Sequence, residues 1–208
     1  MAGVRGLRGF AIAAAALGLI GCAHHGTLAT PAANTLVLSG MGIPEIRGPN
    51  RCPSGTGDGA ILKSWDNGKK QAKGRCLNGF LEGEWKAFYE NGATEWSATF
   101  ENGLVVGTFK SWYANDQKRA VVGFSSGVPE GEYKSWYFNG ELSAKGPYVD
   151  GKKNGCWETW HDNGQKATKG TYADDRQVRT WLQWSTSGTK SKEKLGGEAT
   201  HGECLFTL

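Results

Sequence analysis

The chain has 208 residues, 38% hydrophobic and 11% aromatic, with 24 lysines and arginines against 20 acidic residues, a formal charge of +4. That length suits one domain, and so even a balance excludes the concentrated basic charge of a nucleic-acid-binding domain. With 32 glycines, a Gly or Asn-Gly interrupts most windows beyond the N-terminus that are long enough for three helical turns, which argues against a helical fold.

The chain opens "MAGVRGLRGF AIAAAALGLI GC", with Arg5 and Arg8 ahead of an uncharged run from Phe10 to Ile20. That run is 11 residues, short of the roughly 20 a membrane-spanning helix needs, so residues 1–21 read as a signal peptide. "Leu19-Ile20-Gly21-Cys22" resembles a bacterial lipobox, which implies that Cys22 is acylated and becomes the mature N-terminus. Two acyl chains there would give stable anchorage to membrane lipid without a span, at about 0.8 kcal/mol per buried CH2. Ala23 follows the cysteine in place of the Asp that resembles an inner-membrane retention signal. The expected location is therefore the cell envelope, at the outer membrane. The mature chain has 187 residues, 22 basic and 20 acidic. Residues 22–58 form a tether and N-terminal cap rich in Gly, Pro, Ala and Thr, within which "TLVLS" reads as a short strand.

From residue 59 the chain repeats itself. Gly59, Gly83, Gly107, Gly131 and Gly155 stand 24 apart, and Arg179 takes the sixth register position, so six units cover residues 59–202 before a tail at 203–208. Counting each of these as place zero, place two holds Ile61, Trp85, Phe109, Tyr133, Trp157 and Trp181. Place five holds Ser64, Phe88, Trp112, Trp136, Trp160 and Trp184, and place six Trp65, Tyr89, Tyr113, Tyr137, His161 and Ser185. An Asn-Gly or a close equivalent follows at places eight and nine. Cys76, Phe100, Phe124, Tyr148 and Tyr172 occupy place seventeen, ahead of a second turn at places nineteen and twenty.

Aromatic residues favour the pleated, half-buried surface of a sheet, and Asn-Gly supplies the positive φ angles of a type I′ hairpin turn. Each unit thus predicts two short strands, and since a lone hairpin is marginal, neighbours must stack and bury each other's rings. Places two and six fall on one face of a flat strand and place five on the other. Either a bulge rotates the strand or rings cover both faces. The expected fold is all-β: an elongated, twisted antiparallel sheet of about six consecutive 24-residue hairpin repeats.

The unit "GEYKSWYFNGELSAKGPYVDGKKN" is similar to the MORN-repeat variant of bacterial proteins labelled YwqK-type antitoxins, a resemblance covering residues 59–196. It implies consecutive antiparallel hairpins, no catalytic residues in the repeats, and, by its label, an antitoxin role. Export as a lipoprotein sits badly with neutralising a cytoplasmic toxin. Unit one, with Ile61 and Ser64 in place of rings, and unit six, with Arg179 and Gly196, depart as capping units should.

Beyond Cys22, four cysteines permit three pairings. Cys52 and Cys76 share the place-seventeen register and favour a bridge that ties the lead to unit one; Cys156 and Cys204 remain to pin the tail onto unit five. Buried free thiols are the alternative. Four histidines, His24, His25, His161 and His201, show no metal-ligand spacing, and the acidic residues recur at turns that already account for them. Neither an enzyme nor a cofactor is expected.

Binding remains, with the rings as the candidate surface: Trp96, Trp112, Tyr113, Trp136, Tyr137, Trp160, His161 and Trp184. Trp96 and His161 stand out because they depart from the repeat. The expected role is an interaction scaffold for an envelope protein. A module that binds glycan or peptidoglycan through its rings is the second reading, and an antitoxin the third.

Overall fold

A computed structural model describes residues 50–194 and Cys204, together with the backbone of two short strands, β1 (Thr35–Val37) and β2 (Pro44–Ile46), which pair antiparallel. The signal segment, Cys22, the rest of the tether, His24, His25, His201 and Gly196 lie outside the described residues.

The strands that follow are β3 (Gly59–Ser64), β4 (Lys70–Leu77), β5 (Phe80–Phe88), β6 (Thr94–Glu101), β7 (Leu104–Trp112), β8 (Lys118–Ser125) and β9 (Val128–Trp136). After them come β10 (Leu142–Val149), β11 (Lys152–Lys153), β12 (Gly155–Trp160), β13 (Lys166–Ala173), β14 (Arg176–Trp184) and β15 (Lys190–Lys194). They form one antiparallel sheet in which spatial order is chain order, with the stub β11 off the path, the expected all-β architecture of successive hairpins. The stub β11 and then β12 both pair with β10, the break falling at buried Asn154.

The two turns of each unit differ. At places nineteen and twenty both residues have positive φ, as in Asn78 and Gly79 (51° and 78°) or Asp174 and Asp175 (48° and 66°), the geometry of a type I′ turn. At places eight and nine, where the sequence predicted the same turn, only the second residue is left-handed, as in Gly68, Gly92, Asp116 and Gly140. There Trp65 N–H bonds to Lys69 O and Gly68 N–H to Trp65 O, closing a longer loop in which Asn67 keeps negative φ. The difference arises because the Asn side chain is already committed to bonds across the sheet, described below.

Gly83, Gly107, Gly131 and Gly155 have φ of 66–80°, and the pairing to the preceding strand slips beside each. This is a bulge, and Arg179 adopts it at φ 62° in unit six. The bulge brings the place-two ring over the preceding strand, and rings cover both faces of the sheet, so both alternatives left open by the sequence are realised. On the inner face, Trp85, Phe109, Tyr133, Trp157 and Trp181 interlock with place seventeen and are almost wholly buried. Tyr133, Tyr148, Trp157, Tyr172 and Trp181 form a continuous series of ring contacts at 5.0–6.0 Å.

Disulfides close both ends of this array. Cys52 bridges Cys76 and Cys156 bridges Cys204, while Cys52 N–H also bonds Gly79 O and Cys204 N–H bonds Thr171 Oγ1.

Candidate functional site

The rings singled out from the sequence have three different placements. Trp96 faces inward, stacked on Phe109 at 6.2 Å and edge-on to Phe100 at 6.5 Å. Tyr113, Tyr137 and His161 sit at the loop edge, where they tie units together. Tyr89, Tyr113 and Tyr137 donate their hydroxyls to the carbonyls of Trp112, Trp136 and Trp160 at 2.7–2.9 Å. Trp65 Nε1 does the same to Phe88 O, and His161 Nε2 to Trp184 O at 2.8 Å. His161 therefore replaces the ring but keeps the bond. Beside this series, Asn67, Asn91, Asn115, Asn139 and Asn163 each donate Nδ2–H to a carbonyl 23 residues on, at 2.7–3.1 Å. Their Oδ1 atoms accept the N–H two residues ahead.

Trp112, Trp136, Trp160 and Trp184, with Phe88, lie half-exposed on the outer face. Their hairpin partners are decisive: Phe88 pairs with Thr94, Trp112 with Lys118, Trp136 with Leu142, Trp160 with Lys166 and Trp184 with Lys190. A row across the sheet therefore alternates an aromatic ring with a residue that is lysine in three of the five pairs. Lys118 lies 5.8 Å from the Trp136 ring, Lys145 and Lys166 each 5.6 Å from Trp160, and Lys190 5.9 Å from Trp184, at cation–π range.

A second row runs alongside. Lys73 pairs with Lys86, Lys86 and Lys110 flank Ser97, Lys110 and Lys134 flank Val121, and Lys134 pairs with Lys145, which pairs with Glu158. At the start of the face Gly68, Lys69, Lys70, Lys73 and Phe88 enclose a shallow depression. Most of the acidic residues sit elsewhere, many of them exposed at the loops (Asp66, Glu90, Asp116, Asp162) and tight turns (Glu101, Asp150, Asp174, Asp175). Near-neutral composition thus conceals a face from which most negative charge has been moved to the edges. Sequence reasoning missed this row. The signal was present in the lysines at places three, eleven and fourteen, which alternation places beside place five.

Some of these lysines are paired on the face. Lys86 meets Glu84 and Lys134 meets Glu132, each at 2.9 Å, with carboxylates that are open to solvent and so contribute little to stability. Glu158 differs: its side chain is 10% exposed, with Lys145 at 2.9 Å, Lys166 at 2.6 Å and Lys169 at 3.6 Å. Burial works to raise its carboxyl, but the hydrogen bonds and charges of Lys166 and Lys145 outweigh burial and hold it at about 2. Among the described residues no group of three His, Cys, Asp or Glu is placed to hold a metal ion.

Residues 81–95, 129–150 and 153–174 match the MORN repeat variant, in units two, four and five. No curated protein matches the sequence. Among solved structures, a crystal structure of a GtfA/B complex bound to UDP and GlcNAc aligns with a TM-score of 0.19 and 7% identity, over 65% of this chain and 24% of that one. A Bacteroides fragilis protein of unknown function aligns with a TM-score of 0.15 and 14% identity, over 66% of this chain and 91% of that one. The chain thus spans about a quarter of the length of the first.

Proposed function

We propose that the chain is a non-enzymatic, repeat-based binding module, held on the bacterial cell envelope by acylated Cys22, whose working surface is the outer lysine and aromatic face. The observation that carries this reading is the separation of charge: lysines and half-exposed tryptophans share one face on which Glu84, Glu132 and Glu158 are paired with lysines, while most other carboxylates cluster at its margins. The three MORN-variant stretches support a repeat-based binding module, and two disulfides suit an oxidising compartment outside the cytoplasm. A polar, aromatic surface repeated at a fixed interval favours an extended partner over a compact one.

Retention of the full-length chain on isolated envelope fragments tests the reading. Reversing Lys110, Lys118 and Lys134 to Glu is expected to weaken retention at least about tenfold at low salt, whereas reversing Lys152 and Arg176 beside the tight turns and Lys63 on β3 leaves it near wild type. Equal loss from both sets makes net charge, not this face, responsible and overturns the reading. Detergent partitioning with mass spectrometry of the N-terminus, beside Cys22→Ser, tests the anchor: acyl chains on the wild type and a soluble variant are expected.

A further inference from the structure

The outer face has a period as well as a charge. One aromatic ring recurs per hairpin unit, so successive rings are two strand spacings apart, about 9.5 Å. That is the length of one disaccharide in an extended β-1,4-linked polysaccharide, whose alternate sugar rings present the same face in the same direction. The flat C–H face of such a sugar suits an indole, and the lysines between and beside the rings suit a carboxylate on each unit. An extended single-stranded nucleic acid offers bases at shorter intervals, out of step with the rings, and the two disulfides suit a compartment where polysaccharide is the commoner polymer.

The geometry points to a soluble, anionic, β-1,4-linked glycan lying across the strands on Phe88, Trp112, Trp136, Trp160 and Trp184, one disaccharide per unit, with Lys110, Lys118, Lys134 and Lys190 meeting its carboxylates. This rests on the binding-module reading above and names its ligand class. The row turns with the twist of the sheet, by roughly 20–25° per strand, so it follows a flexible single chain and not a flat crystalline polysaccharide surface. The unit-five subsite is weaker than the others because Glu158 already engages Lys145 and Lys166.

The experiment is a titration of the full-length chain, in detergent, with β-1,4-linked mannuronate oligomers of graded length from the disaccharide upward, read by tryptophan fluorescence and calorimetry. Affinity is expected to rise with each added disaccharide and to level off at five, to fall with salt, and to drop about tenfold in Trp136→Ala, the size of one stacked ring. Lys118→Glu, which removes no ring from the sheet, gives a similar loss and guards against misfolding of the first variant. Neutral cello-oligomers bind at least about tenfold more weakly. If mannuronates fail but oligothymidine or phosphatidylglycerol vesicles bind in a Trp136-dependent way, the glycan class is wrong and the binding face stands. If no probe binds and the charge-reversed face keeps its envelope retention, both readings fall.

Discussion

The smallest rule in this protein relates two residues on neighbouring strands. Gly74, Gly146 and Gly170 lie beneath Trp85, Trp157 and Trp181, and a Cβ on any of them would fall 2.1–2.3 Å from the indole. Where the covering ring is Phe109 or Tyr133, the corresponding position is Ala98 or Val122, so ring and floor vary together. Gly146→Ala is therefore expected to cost about 1–3 kcal/mol by overpacking. Paired with Trp157→Phe it should cost less than the two single losses combined, a coupling near 1 kcal/mol that urea midpoints in a double-mutant cycle would reveal. The rings were legible in the sequence, and so was their interval. Which small residue each ring requires was not, because the partner lies eleven residues back on another strand, beyond a bulge that shifts the register. The placement of Trp96 was hidden for the same reason: its face is set by that register. Glu158 makes a second prediction at this scale. A carboxyl held at about 2 contributes stability that is fully present above its ordinary value near 4.5 and is lost as pH falls toward 2. Glu158→Gln should flatten that acid loss and cost about 1–2 kcal/mol at pH 7, both visible in denaturant midpoints measured against pH.

At the scale of the hairpin, the two turns have separate tasks. The tight turn sets register through paired positive φ angles, and the wider loop lends its Asn and Tyr to the next unit. Sequence pattern located both turns but assigned them one geometry, because an Asn that bonds across strands and an Asn that supplies positive φ are spelled identically. The end hairpins depend instead on covalent closure. On the chain-entropy account the loops of 24 and 48 residues closed by Cys52–Cys76 and Cys156–Cys204 are worth about 3 and 4 kcal/mol. Cys204→Ser is accordingly expected to speed amide exchange in β14 and β15 while leaving β5 to β9 protected, since each unit contacts only its neighbours. Uniform loss of protection would mean that the array unfolds as one body.

For the whole molecule, nearest-neighbour order means that length is adjustable. Deleting residues 107–130 joins one unit to the next at the same register position and should leave a folded all-β array, shorter by about 9.5 Å in solution scattering. A midpoint roughly 5 °C lower is the expected thermal effect. The loop edge adds a direction. From Asn67 to Asn163 and from Trp65 to His161, side chains reach only toward the later unit. The last described loop has Ser185, Ser187 and Thr189, which bond to one another. A chain leaving the ribosome N-terminus first thus presents, at each stage, a completed unit whose donors await the carbonyls still to be made. Among the described residues the loop at 185–189 extends no such amide or ring donor, so the bonds that join one unit to the next are not offered by that loop to a second copy.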